Sequence, residues 1–280
     1  MNDLINWFPG HMTKALRMIE EEFKNCNLVL YVLDARAPFA CFNRKLDKIF
    51  GNGRVIYLLN KSDLVDDKDI KNTISKFKEM GRSCLSTCGT NKKNVNQILS
   101  EIDKTLTPVK KKYLDKGINK TFRIMVAGLP NTGKSTIINS ICGEKKTKTG
   151  DKAGVTRGKQ WVKINGYEFL DTPGTTPPSF ESQEEAKFLA YLGSINDEIL
   201  DFIELSYDLI SYLRDNYPNC LKDVYGIDVE GKDPPEIFRE IGKKRGCLIK
   251  GGDIDEERTS SVFIGELRKG KLGKIFFNLK

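Results

Sequence analysis

Gly128-Leu129-Pro130-Asn131-Thr132-Gly133-Lys134-Ser135-Thr136 has the spacing of a phosphate-binding loop, Gly-x4-Gly-Lys-Ser/Thr. The apolar run Phe122 to Ala127 leads into it and Ile137-Ile138-Asn139-Ser140-Ile141 follows, which predicts strand, loop and helix in that order. The two glycines let the backbone turn its N–H groups inward, and a helix N-terminus adds the positive end of its dipole, so a polyphosphate meets several donors at once. Asn131, Thr132, Gly133, Lys134, Ser135 and Thr136 are therefore candidate nucleotide-binding residues. Lys134 would neutralise charge on the outer phosphates during phosphoryl transfer, and the Ser135 hydroxyl would ligate Mg²⁺. A glycine-rich turn could match the spacing alone, but the flanking strand and helix argue against that.

A second set of residues could read a base. Asn60-Lys61-Ser62-Asp63 directly follows the apolar run Val55 to Leu59 and fits Asn-Lys-x-Asp. The Asp63 carboxylate can accept hydrogen bonds from the ring N–H and the exocyclic amine of guanine; adenine offers no such pair, so the wrong base would leave a buried charge unpaired. Cys88-Gly89-Thr90, after the predicted short strand Ser83 to Thr87, stands where a backbone contact to the base could arise. A third set completes phosphate chemistry. Asp171-Thr172-Pro173-Gly174 puts a carboxylate where it can hold Mg²⁺ through water and a backbone N–H (Gly174) where it can sense a γ-phosphate. Thr156, in Ala153 to Arg157, could close the Mg²⁺ shell when a third phosphate is present.

These loops need a scaffold that brings them to one rim. Leu28 to Leu33 is a continuous apolar run, as expected of a strand buried on both faces of a parallel sheet, and Asp34-Ala35-Arg36-Ala37-Pro38 falls at its carboxyl end, where such sheets bind ligands. Helical spacing is read at Met12 to Phe23, Lys68 to Met80 and Val95 to Leu106, the last closed by Pro108 and followed by a lysine-rich connector from Val109 to Lys120. Lys159 to Ile164, Asn165-Gly166 and Tyr167 to Leu170 predict a hairpin. The remainder reads mainly helical, at Glu184 to Leu192, Asp197 to Tyr212, Pro235 to Lys244 and Asp253 to Leu267. The expected class is thus α/β, a mostly parallel sheet flanked by helices, with a nucleotide-binding domain at residues 1–182 and a mainly helical unit at 183–280.

The chain has 280 residues and a formal charge of +8, with basic runs at Lys110 to Lys112, Lys243 to Arg245 and Arg268 to Lys274 that point to a polyanionic partner such as RNA. No apolar run reaches membrane-spanning length and no secretory leader is evident, so a cytoplasmic location is expected. The seven cysteines lack metal-ligand spacing, which favours reduced thiols over zinc. His11, the single histidine, is the only side chain whose ordinary pKa lies near neutrality. It stands beside a Pro-Gly turn, where it could be presented to a ligand or could pack under Trp7 and Phe8.

In most proteins with these motifs the phosphate loop comes first and Asn-Lys-x-Asp late; here the base-reading loop precedes it. The chain resembles a circularly permuted GTPase, and more narrowly the ribosome biogenesis GTPase A family (also called YlqF). The resemblance is carried by Trp7 to Met12, Asp34 to Pro38, Asn60 to Asp63, Gly128 to Thr136, Asp171 to Gly174, Lys243 to Gly246 and Gly270 to Gly273. It implies binding of GTP and GDP, Mg²⁺ dependence, and hydrolysis of GTP on the large ribosomal subunit late in its assembly, through contacts with rRNA and ribosomal proteins. It places His11 on the histidine proposed to act in hydrolysis in place of the glutamine that other GTPases carry after Asp-x-x-Gly. Here that position is Thr175, where the family more often has an aliphatic residue. It also matches Asn131 to the asparagine that helps hold K⁺ in related GTPases. Because Asp171 to Gly174 leads through Thr175 to Ser182 into the C-terminal region, a loop ordered by GTP could reposition an RNA-binding unit directly. A scaffold that holds GTP without useful turnover, and a phosphate-loop kinase, are the competing readings.

Overall fold

The computed structural model describes residues 10–51, 53–89, 91–143, 160–164, 166–177 and 179–279. Six strands form one sheet among them: β1 (Leu28–Asp34), β2 (Val55–Asn60), β3 (Ser83–Ser86), β4 (Phe122–Gly128), β5 (Gln160–Ile164) and β6 (Tyr167–Asp171), in the spatial order β3-β2-β1-β4-β6-β5. All neighbours are parallel except β5 and β6, which form the expected hairpin with Ile164 opposite Tyr167. The chain leaves β1 outward through β2 and β3, then returns to lay β4 on β1's other side, passes to the edge strand β5 and turns back into β6 beside β4. The direction of travel reverses between β1 and β4, the place where open α/β sheets open a ligand crevice at their carboxyl ends.

β1 is buried at every position because it is central and covered on both faces. Val29, Tyr31 and Leu33 join one apolar cluster, and Leu28, Leu30 and Val32 the other. The second cluster lies under α4 (Lys92–Leu114) and α5 (Lys134–Cys142), through Ile98, Ile102, Leu106, Ile137, Ile138 and Ile141. The first is larger. It takes in Ile19 of α1 (Gly10–Phe23), Phe50 of α2 (Arg44–Phe50) and Phe77 of α3 (Asp67–Glu79). It continues without a break into α6 (Gln183–Tyr191), α7 (Phe202–Asn216), α8 (Pro218–Tyr225), α9 (Pro234–Lys244) and α10 (Glu256–Arg268). The C-terminal helices therefore share apolar surface with the sheet.

Two sequence expectations are corrected. Pro108 does not close α4, which runs through it to Leu114. Val109 and Tyr113 pack against the same cluster as Ile102 and Leu106. Their partial burial against that cluster helps offset the roughly 3 kcal/mol that an interior proline costs. The helix expected from Asp197 begins instead at Phe202, capped by the Asp201 carboxylate on the Ile203 and Glu204 N–H groups (2.9 and 3.1 Å), after a single 3-10 turn at Asp197–Ile199. α8 was not anticipated; it starts with proline at its first position and ends at Gly226 in the left-handed conformation.

Because Pro108 is exposed and its ring interrupts the backbone ladder of α4, Pro108→Ala should raise unfolding free energy by about 1–3 kcal/mol. Urea denaturation of the two proteins measures this; an unchanged or lower midpoint would show that the proline is accommodated without cost.

Candidate functional site

The register of the parallel strands aligns the loops. Asp34 at the end of β1 pairs with Asn60 at the end of β2, Val32 pairs with Gly128 where β4 enters the phosphate loop, and Val126 pairs with Asp171 at the end of β6. Side chains then join loops far apart in sequence. The buried Asn60 amide donates to the Thr132 carbonyl (2.8 Å), and its Oδ1 accepts from the Gly89 N–H (2.9 Å). Lys61 Nζ donates to the Asn131 carbonyl (2.7 Å). Gly133 has φ +95, and a Cβ there would collide with the Asn60 amide, so only glycine fits. The Ser62 N–H donates to Thr87 O (3.1 Å), while Asp63 stays exposed at the loop's tip. Cys88 is fixed by its N–H on Asn94 Oδ1 (3.0 Å). The carbonyl of Gly89 accepts from the Ser140 hydroxyl of α5, and the Thr136 methyl lies beside Gly89. Base-reading and phosphate-binding candidates thus line one crevice at the β1/β4 reversal.

Around the phosphate position, Lys134 is buried and donates from Nζ to the Leu129 carbonyl (2.7 Å). Burial pushes its ammonium down to about 8, against the opposing pull of the Asp171 carboxylate. Asp171 is raised by burial, with the Ser135 hydroxyl bond (2.7 Å to Oδ2) and Lys134 acting the other way. Asp171 Oδ1 and the Thr175 hydroxyl are buried with no hydrogen-bond partner among the described residues. A hydroxyl and a buried carboxylate with one spare oxygen fit Mg²⁺, which takes few protein ligands and completes its octahedron with water and phosphate oxygens. Gly174 packs directly on the backbone of Pro130, so the candidate γ-phosphate sensor abuts the phosphate loop.

His11 lies in the first turn of α1, its side chain outside the described residues, as is all of Thr156. The next residue, Met12, is buried, and its sulfur accepts from the Thr176 hydroxyl (2.7 Å). The turn carrying His11 is thereby fixed two residues from Gly174. Asn131 has φ 60, and its side-chain amide donates to the Gly193 carbonyl beyond α6 (2.6 Å).

Sequence reasoning placed Asp34 to Pro38 at the strand end without assigning what those side chains do. Asp34 is buried and bonded to Arg36 and Lys61. Burial works against its charge, but the two cations outweigh it and hold the carboxyl well below the ordinary carboxylate range. All three basic runs are also partly committed internally, Lys110 through its ammonium on Asp103 and on the Tyr167 hydroxyl (2.6 Å each). Arg245 pairs with Glu266 (3.0 Å) and stacks on Tyr225, and Arg268 forks onto Asp197 (2.8 Å to each oxygen). Lys243, Lys244, Lys269, Lys271 and Lys274 remain on the surface.

A phosphate loop, a base-reading loop and an Asp-x-x-Gly segment on one rim, in permuted order, define a P-loop GTPase of the circularly permuted kind. Residues 123–234 match the family described as "50S ribosome-binding GTPase". Ribosome biogenesis GTPase A of Bacillus cereus is 38% identical over 98% of this chain and 93% of its own length, and that of Thermotoga maritima 33% identical over 98% and 94%. The GNP-bound crystal structure of YlqF from T. maritima superposes with a TM-score of 0.65 at 30% identity, covering 95% of this chain and 97% of that one. GDP-bound YlqF gives 0.66 at 30% identity, over 94% and 98%. The chain belongs to the ribosome biogenesis GTPase A family, and is a GTP hydrolase of ribosome assembly.

Phosphate binding should return Lys134 to its charged form, raising a pKa that burial holds near 8 in the free protein. Affinity for GDP should therefore be constant below about pH 8 and fall by up to about tenfold per unit above it, with proton uptake on binding. Calorimetry between pH 7 and 9 in buffers of different ionisation enthalpy measures both; a flat affinity with no proton uptake would show that Lys134 is fully charged beforehand.

Proposed function

We propose that this protein binds the large ribosomal subunit at a late step of its assembly, hydrolyses GTP to GDP and phosphate there, and departs. The observation that carries the nucleotide half is the pair of bonds from Asn60 to Thr132 and from Lys61 to Asn131, which makes one crevice of the base-reading and phosphate loops. The ribosomal half is supported by the family and by the exposed lysines of α9's last turn and residues 269–274, which suit rRNA phosphates.

In this reading Asn60 to Asp63 select guanine, with the Cys88 and Gly89 backbone beside the base. The N–H groups of Asn131 to Thr136 cradle the phosphates, Lys134 neutralises the charge that develops on them, and Gly174 senses the γ-phosphate. Mg²⁺ would be held by Ser135, Asp171 and Thr156, and would supply charge neutralisation on the phosphates. His11, carried on a turn anchored at Met12, orients the attacking water in place of the missing glutamine. Asn131 Oδ1 contributes to a K⁺ site, with its amide nitrogen occupied by Gly193. Residues 1–182 form the GTPase domain and 183–280 the RNA- and ribosome-binding unit. GTP ordering residues 172–182 would be transmitted into the latter, and the free protein works as a cytoplasmic monomer. Among the described residues no helix is long and apolar enough to cross a membrane.

Hydrolysis measured with purified large subunits should be strongly stimulated, more in K⁺ than in Na⁺, and His11→Ala should abolish most of the stimulation while leaving GDP binding intact. Turnover unaffected by subunits would favour a scaffold role. Asp63→Asn should weaken GDP binding by about 100-fold or more and admit xanthosine diphosphate, whose ring presents an acceptor where guanine has its amine. Equal affinity for GDP before and after that substitution would remove Asn60 to Asp63 from the site.

A further inference from the structure

We propose that Asp34 and Arg36 are positioning residues for guanine-nucleotide binding, joining the seating of the C-terminal helices to the base-reading loop. The inference rests on Asn60 to Asp63 being that loop. β1 ends between β2, which carries the base-reading loop, and β4, which carries the phosphate loop. Asp34 is 1% exposed, yet its carboxylate takes four donors. Oδ1 accepts from the Arg36 backbone N–H (3.1 Å) and from Arg36 Nε (3.0 Å); Oδ2 accepts from Arg36 Nη2 (2.8 Å) and from Lys61 Nζ (2.8 Å). Lys61 Nζ in turn holds the Asn131 carbonyl. A single carboxylate thus sets the ammonium that bridges the two nucleotide loops.

Arg36 carries the connection outward. It is also 1% exposed, and after forking onto Asp34 its remaining guanidinium nitrogen, Nη1, donates to the Leu267 carbonyl in the last turn of α10 (2.9 Å). A cation suits that end of a helix, where carbonyls point outward and the dipole is negative. Two backbone bonds run beside it: Phe277 N–H to Arg36 O (2.6 Å) and Ile275 N–H to Leu64 O (3.1 Å). Lys274 pairs with Asp66 just past the base-reading loop (3.4 Å). The chain after α10 therefore lies along both the Asp34–Arg36 turn and residues 64–66.

Burying an ion pair contributes little net stability compared with apolar packing of the same volume, whereas it fixes geometry. Here the geometry fixed is that of Lys61, whose backbone sits at φ 61, unfavourable for a residue with a Cβ. If the seating of α10 sets Arg36, Arg36 sets Asp34 and Asp34 sets Lys61, then nucleotide bound at the loop must tighten the α10 contact by the same factor. The coupling enters at the base side, so GDP alone exercises it, independently of any signal from the γ-phosphate.

Hydrogen exchange of the full-length protein with and without GDP tests this, together with the GDP dissociation rate. In the unaltered protein GDP should slow exchange across residues 60–66 and also across 264–279. Asp34→Asn, nearly the same shape without the charge, should speed dissociation about tenfold or more and abolish the GDP-induced protection at 264–279. Arg36→Lys, which keeps the charge but lacks the fork that reaches both Asp34 and Leu267, should abolish that protection with a smaller effect on dissociation. Should either variant fold poorly, Lys61→Met leaves the buried Asp34–Arg36 pair intact; it should speed dissociation and lose the distant protection. The proposal is overturned if protection at 264–279 is absent in the unaltered protein or persists in the folded variants. It is equally overturned if Asp34→Asn leaves dissociation unchanged. Asp63→Asn separates the two failures: if it admits xanthosine diphosphate while the Asp34 and Arg36 variants are silent, only the coupling is wrong, and if it does not, the base-reading assignment itself fails.

Discussion

Lys61 and Asn131 are the two non-glycine residues with positive φ among those described, and they are bonded to each other, the lysine ammonium on the asparagine carbonyl at 2.7 Å. The lysine's conformation costs on the order of 1–2 kcal/mol and persists only where the surroundings over-determine it, whereas asparagine adopts it more readily. The surroundings here are the crevice itself. Asn60 ties the same two loops one residue further along, and Gly133 supplies the close approach that any larger residue would block. The strain is located where the base-reading and phosphate loops must hold a fixed separation, and the cross-bonds hold it. A guanine nucleotide is a rigid base on a flexible phosphate chain. Pre-setting the distance between the two ends of its site removes part of the ordering cost of binding.

The same cross-bonds explain how permuted connectivity leaves the site intact. None of the contacts that unite the loops runs through the chain segments joining them: Asn60 reaches Thr132 across 72 residues, and Asn43 reaches the Thr175 carbonyl across 132 (3.3 Å). Parallel strands deliver every loop to one rim whichever strand comes first, and side chains finish the assembly. Permutation does change what lies next to the site. With the base-reading loop early and Asp171 to Gly174 late, the chain leaves the rim directly into α6. The C-terminal helices then fold back toward the Tyr31 and Leu33 face of β1, and Phe188, Tyr191 and Phe277 stack together in the cluster that also holds those two residues.

The parts legible in the sequence are those dictated by local pattern. Leu28 to Leu33 and Val55 to Leu59 are apolar at consecutive positions because both faces are covered, and Gly-x4-Gly-Lys-Ser needs its glycines for close backbone approach, which residue type alone reveals. What was not legible depends on partners distant in sequence. Pro108 reads as a stop until Val109 and Tyr113 are seen to have a hydrophobic surface to cover. Arg245 and Arg268 read as members of basic runs, since nothing nearby announces that Glu266 and Asp197 will claim them. Arg36 lies two residues from its carboxylate partner, so the pair could have been guessed, but its third contact lies 231 residues away on a backbone carbonyl that carries no sequence signal at all.

The phosphate end of the crevice is built at a cost to stability. Lys134 is 6% exposed, with burial opposing its charge, Asp171 is 1% exposed with one oxygen unpaired, and the Thr175 hydroxyl is fully buried and unpaired. An unsatisfied buried polar atom costs on the order of 1–3 kcal/mol, and more when charged. These costs sit on the groups that phosphate oxygens and Mg²⁺ would satisfy, and such a site releases them only when those ligands arrive. Polar groups held in a dry pocket do not need to reorient when charge develops on the transferring phosphoryl group, which is the condition under which fixed charges lower a barrier most. In the proposed reading, the arrangement that makes the free protein less stable at Lys134 and Asp171 would also make them effective toward a triphosphate, with the bonds from Asn60 and Lys61 holding the loop in place.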